Sequence, residues 1–185
     1  MSDSFSPLDA DALIEHLGLA PHPEGGWYRE TWRADPGPCA DPGPCADRED
    51  GPNAAGDGQS ASSRARATAI MFLLKSDENS HWHRVDADEL WIWQGGDPLD
   101  LAIAPSDARA HGAQAQTIRL GNRPDHGHQL QGLVPKTAWQ AARPAPPANG
   151  ALGYCLVSCV VVPGFEFSGF ELAPPGWSPE QEKRV

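Results

Sequence analysis

Positive charge is scarce in this sequence. Lys and Arg total 14 against 25 Asp and Glu, a net charge of −11 at neutral pH. That excludes a surface built for nucleic acid or for an anionic membrane, since both reward basic patches. Long apolar runs are also missing. The longest, Cys155 to Pro163, falls far short of the roughly 20 residues a membrane helix needs. Met1-Ser2-Asp3-Ser4 has neither the basic start nor the apolar stretch of a secretion signal. Of the four cysteines, Cys155 and Cys159 lie in the apolar run and the other pair lies in a repeat. They read as reduced thiols of a cytoplasmic protein rather than as a disulfide framework. No glycine-rich phosphate loop is present, and strand and helix patterns do not alternate, which excludes a nucleotide-binding α/β domain.

What is abundant is punctuation. Gly and Pro each occur 19 times in 185 residues, a length that suits a single domain spanning residues 1–185 with a real core. Residues Leu8 to Leu17 predict one short helix, with Ser6 as cap, Pro7 in the first turn and Gly18 as terminator. Residues 34–63 differ in kind. Ala34-Asp35-Pro36-Gly37-Pro38-Cys39 is repeated at once as Ala40 to Cys45, and a stretch rich in Asp, Gly, Asn and Ser follows. This segment predicts a long mobile insert loop.

Strand signals fill the remainder: 26–33, 67–74, 80–85, 89–94, 99–104, 114–120, 128–134, 136–142 and 154–162, with an aromatic closing segment from Pro163 to Leu172 and a loose tail. Eight to ten short strands between Gly/Pro turns point to an all-β sandwich or barrel. In Trp27 to Arg33, alternation puts Trp27, Arg29 and Thr31 on one face and Tyr28, Glu30 and Trp32 on the other, so each face carries a polar group.

The chemistry concentrates between Ser80 and Leu99. His81 and His83 share one face of an extended segment, and Glu89, Trp91 and Trp93 share one face of the next. Paired as a hairpin, the two segments bring imidazoles, a carboxylate and indoles to one cavity. His22, His111, His126 and His128 lie in or beside turns and read as solvated.

These residues resemble a known family. His81-x-His83, Glu89 and Gly96 are similar to the first cupin motif, with a spacer of five residues before the Glu. Val134-Pro135 to Gln140 resembles the second motif, with Thr137 at its Gly position and Gln140 at its His position. Pro21-His22-Pro23-Glu24-Gly25-Gly26, Tyr28-Arg29-Glu30, Gly96-Asp97-Pro98-Leu99, Trp139-Gln140, Pro163-Gly164-Phe165 and Phe170-Glu171 together resemble the Cupin-5 family, domain of unknown function 985. The resemblance implies a double-stranded β-helix (jelly roll) with a short N-terminal helix, a pocket inside the barrel and a homodimer. The dimer would form by sheet extension along Trp27 to Arg33 or Tyr154 to Val162.

Three functional readings follow. A metal reading takes His81, His83, Glu89 and Gln140 as ligands of one divalent Fe, Mn, Ni or Zn ion. A metal-free reading takes His83 and Glu89 as catalytic acid and base of an isomerase or epimerase acting on a sugar-like small molecule. Here Trp91, Trp93 and Trp139 form flat walls, and Glu24, Arg29, Glu30, Arg84 and Gln140 are ligand-binding candidates. A third reading is a non-catalytic small-ligand-binding protein.

Overall fold

The computed structural model describes residues 8–36, 64–107 and 114–179. Most of the 34–63 insert, Ser6, Pro7 and His111 lie outside the described residues. Among the described residues, the chain forms two antiparallel sheets, one α-helix and two single-turn 3-10 helices, the double-stranded β-helix expected from the motifs. The first sheet runs β1 (Ala20–Pro21), β2 (Trp27–Arg33), β3 (Thr68–Lys75), β10 (Tyr154–Val162), β5 (Asp88–Gly96) and β8 (Gln131–Val134). The second runs β11 (Phe170–Leu172), β4 (Ser80–Val85), β9 (Trp139–Pro144), β6 (Leu99–Ala104) and β7 (Gln116–Leu120). No helix among the described residues is long and apolar enough to cross a membrane.

The continuous apolar run of β3 is explained by cover on both faces. Phe72 and Leu74 face inward to Trp91, Leu101, Leu120 and Val157 in the main core. Leu73 faces outward beneath helix α1 (Ala10–Leu17), whose Leu13, Ile14 and Leu17 pack on it and on Tyr154. The helix begins later than its sequence suggested. Asp9 is the cap, its Oδ1 accepting the Ala12 N–H at 2.8 Å, an interaction worth about 1 kcal/mol. Gly18, at φ 62°, closes the helix as expected.

The predicted 80–99 hairpin does not form. β4 pairs with β9 and β11, whereas β5 pairs with β10 and β8. The chain turns a corner at Asp86-Ala87 and passes from one sheet to the other. The reason is burial: Val85 and Ala87 are both core residues, and the dipeptide lacks the Gly or Asn of a tight hairpin turn. A second correction concerns β10, which is flanked by β3 and β5 and so cannot extend a partner's sheet. β2 is paired on its outer side only at Trp27 and Tyr28. The tail is better held than its composition suggested as far as residue 179, because Trp177 packs on Trp139 at 4.4 Å and on Trp82 at 5.6 Å between ring centres; residues 180–185 lie outside the described residues.

Candidate functional site

A cavity of about 510 Å³ opens between the two sheets. Its floor is polar and its walls are largely aromatic. Three local departures from regular structure deliver the floor residues.

The first is the turn between β1 and β2. Gly25 (φ 106°) and Gly26 (φ 73°) bend it back so that the His22 N–H donates to the Gly26 carbonyl. A Cβ on Gly26 would stand 2.8 Å from the Leu73 carbonyl, and one on Gly25 only 2.3 Å from the Asn79 carbonyl. Glycine is therefore required by space as well as by dihedral angle. The turn is pinned to β4 by the His81 N–H, which donates to the Glu24 carbonyl at 2.8 Å. The Glu24 side chain is thereby buried in the cavity floor.

The second is a register shift in β4 between Ser80 and His83. It breaks the alternation that placed His81 beside His83. Ser80, His83 and Val85 are buried, whereas His81 is exposed. The third is a bulge in β2 at Thr31. Tyr28 and Glu30 line the cavity as alternation expects, and the extra residue brings Arg33 to the cavity while leaving Trp32 exposed.

His83 is 2 % exposed and anchored at both nitrogens. Its Nδ1 lies 2.8 Å from the His81 carbonyl. A carbonyl only accepts, so Nδ1 carries the proton and Nε2 presents its lone pair. That Nε2 lies 3.2 Å from Oε2 of Glu24. Ser80 donates its hydroxyl to the other Glu24 oxygen at 3.0 Å. Burial pushes the Glu24 carboxyl up to about 8, the Ser80 hydrogen bond opposing it. Burial also lowers the His83 imidazole, against the raising effect of Glu89. At neutral pH the pair is thus a protonated carboxyl donating to a neutral imidazole. His22 joins it, with Nδ1 at 3.4 Å from Glu24 Oε2. Burial, followed by the nearby His83, lowers His22 to about 4.

Glu89 reaches the cavity from the other sheet. Burial raises its carboxyl. Gln140 Nε2 donates to Glu89 Oε2 at 2.6 Å, and Gln140 Oε1 accepts the Trp91 indole N–H at 2.9 Å. An indole only donates, so Trp91 fixes which end of the amide meets Glu89. The Cys159 thiol hydrogen-bonds to the same carboxyl and is held well above its usual range by burial.

The sequence-derived candidates are distributed as follows. His83, Glu89, Glu24 and Glu30 line the cavity. Gln140 stands behind Glu89, and Trp91 stands behind Gln140 in the core. Trp93 packs against the same core and donates to the Asp97 carbonyl at 3.2 Å. Trp139 lies under the Arg84 guanidinium at 4.7 Å, and Arg84 itself bonds Glu171. Arg29 projects beside Gly18 at the end of α1. None of Arg29, Arg84, Trp91, Trp93 and Trp139 is among the cavity-lining residues; the walls are Tyr28, Phe72, Phe165, Phe167 and Phe170. The phenylalanines of the closing segment were legible only as packing. His22 was legible only as part of a family motif, and it is buried rather than solvated. His128 is half-buried, and its Nδ1 is enclosed without a hydrogen-bond partner.

The ligand set proposed for a metal is not assembled. His81 is exposed, and the Gln140 oxygen is taken by Trp91. Among the described residues, no three His, Cys, Asp or Glu side chains gather to hold an ion.

Two antiparallel sheets closed as a jelly roll around an interior cavity are the architecture the cupins share with several other families. The family model for the cupin superfamily's domain of unknown function 985 matches residues 11–173. The chain belongs to that family, Cupin-5. A solved protein from Shewanella oneidensis is 30 % identical, with TM-score 0.68 over 90 % of this chain and 85 % of its own. A hypothetical protein from Leishmania major is 32 % identical, with TM-score 0.67 over 89 % and 86 %. The search of curated proteins returned no match.

Proposed function

We propose that this cupin is a metal-independent proton-transfer enzyme, an isomerase or epimerase acting on a small, sugar-like carbonyl compound. The observation that carries the reading is the buried contact of Glu24 with His83 Nε2 at 3.2 Å. An acid held near 8 faces an imidazole held neutral, so the pair is poised on both sides of neutrality.

The reaction balances within the cavity. Glu24 gives its proton to the substrate carbonyl oxygen. His83 Nε2, released from that hydrogen bond, takes the proton from the adjacent carbon. An enol forms beside an imidazolium–carboxylate pair. In an isomerisation His83 returns its proton to the former carbonyl carbon while the Glu24 carboxylate takes the proton of the hydroxyl on the carbon that His83 deprotonated, which becomes the new carbonyl. In an epimerisation Glu89, whose carboxyl burial raises, supplies a proton to the opposite face of the same carbon, and the Glu24 carboxylate recovers the enol proton as the carbonyl re-forms. Exchange with solvent then returns the His83 imidazolium and the Glu89 carboxylate to their starting states. Positioned acid–base pairs contribute about 100- to 10,000-fold in rate.

The test is deuterium wash-in. The protein is incubated in D2O with a panel of aldoses and ketoses, and mass spectrometry reads label at the carbon next to the carbonyl. Wild type incorporates label into at least one compound, and Glu24→Gln and His83→Gln each slow this by about 100-fold or more. Absence of label throughout, or variants as fast as wild type, refutes the reading. The same reading takes the chain as a homodimer joined along the open part of the β2 edge, which analytical ultracentrifugation tests.

A further inference from the structure

We infer that the molecule this cavity admits is a small organic cation. The inference deepens the substrate side of the proposal above but rests on the cavity's lining and not on proton transfer. Where both hold, the substrate is an amine-bearing carbonyl compound.

The lining carries four carboxyls and one cationic side chain, Arg33. That cation is committed: Arg33 Nε and its terminal nitrogen donate to the two oxygens of Glu30 at 2.9 and 2.6 Å. Arg64, the next guanidinium toward Glu166, is tied to both oxygens of Asp86 and to the Gly164 carbonyl. The two histidines of the floor are kept uncharged by burial. A phosphorylated or carboxylated ligand therefore meets no uncommitted positive group among the described lining residues, and it meets Glu166 as well.

A cation meets the opposite situation. Phe165, Phe167 and Phe170 come from one short segment and pack ring to ring at 5.0, 6.0 and 6.2 Å between centres. Tyr28 and Phe72 face them across the His22 ring, at 4.5 and 6.0 Å from it. Aromatic faces attract ammonium groups most where water is excluded. The carboxyls of Glu24 and Glu89 are buried in the floor, and Glu24, pushed up to about 8 by burial, can give up its proton to balance an entering positive charge. Rings, rim carboxylate and titratable floor thus favour the same ligand charge.

The experiment uses three probes of one shape: choline, its uncharged analogue 3,3-dimethylbutanol, and the anion 3,3-dimethylbutyrate. Each is titrated calorimetrically into the full chain at pH 7.5. Choline is expected to bind at least tenfold more tightly than the alcohol, and the carboxylate most weakly. Phe167, more than half exposed, can be changed without disturbing the core. Phe167→Leu is expected to reduce choline's advantage several-fold while leaving the alcohol's affinity unchanged, and Glu166→Gln is expected to act likewise. Equal or tighter binding of the alcohol, preference for the carboxylate, or no heat from any probe overturns the inference. None of these outcomes bears on deuterium wash-in, so the two readings fail separately.

Discussion

Ionising Glu24 in place should make the protein lose stability as pH rises through neutrality, and the loss can be worked out. Its carboxyl binds a proton more tightly folded, near 8, than unfolded, at 4.5. Its contribution is therefore complete below 4.5 and is lost as pH climbs through 8. Across the whole interval, the cost is about 5 kcal/mol at about 1.4 kcal/mol per pH unit. His22 works in the other direction. Its folded value near 4 lies below 6.5, so its contribution is complete above 6.5 and is lost as pH falls through 4. His83, also lowered, has the same sign as His22, whereas Glu89, raised, has the sign of Glu24. Between about 4.5 and 6.5 these effects oppose one another. From 6.5 to 8 the acids act without that opposition, and Glu24 alone should remove about 2 kcal/mol. Cys155, pushed up to about 12, and Cys159, also raised, act only above this window. Urea unfolding at half-unit steps from pH 6.5 to 8 reads the slope. Glu24→Gln keeps the shape of the protonated acid and should flatten most of it, leaving the variant more stable than wild type at pH 8. A flat wild-type profile, or a variant profile parallel to it, refutes the protonated Glu24 on which the proposed chemistry depends.

Three further outcomes follow from the structure. His81→Ala should change stability by less than about 0.5 kcal/mol and leave bound metal, measured by elemental analysis, unaltered, because the ring lies outside the cavity. Gln140→Met should cost about 2–4 kcal/mol in urea unfolding, since it strips partners from both the Trp91 indole and the Glu89 carboxyl in the core. Thr137→Gly should raise stability by about 1 kcal/mol. Thr137 is exposed at φ 65°, a conformation costly for a β-branched residue, and its N–H bond to the Val85 carbonyl needs no side chain.

The strand positions were largely legible because apolar alternation and Gly/Pro turns report burial directly, whereas the pairing was not: the two segments read as a hairpin lie in different sheets. Tyr154–Val162 and Trp27–Arg33 fall where the pattern put them. The site was legible only in part, for a local reason. Period-two reasoning assumes an unbroken pleat, and both β4 and β2 break theirs inside the functional segment. One break removed His81 from the site and the other added Arg33. The aromatic walls were sought among tryptophans of the central strands, but those indoles fill the main core or pack beside it. Phe165, Phe167 and Phe170 instead reach the cavity from the closing segment, more than 70 residues after Trp91 and Trp93 and more than 25 after Trp139. Such placement comes from tertiary closure and leaves no periodic trace. Thr137 shows the converse: its left-handed backbone occupies the position where the second motif carries Gly, so the geometry is retained without the residue that suits it.

The corner at Asp86-Ala87 carries a mechanical consequence. His83 and Glu89 are six residues apart in the chain, yet they stand on opposing layers of the sandwich. Their spacing is governed by the thickness of the filling between the layers, about 10 Å in packed sheets, and hardly at all by the connecting peptide. Side chains such as Phe72 and Trp91 therefore act as shims. Thinning or thickening them would close or widen the jaws that hold a guest, so bulk beside and behind the reactive atoms becomes a dial on how that guest is gripped.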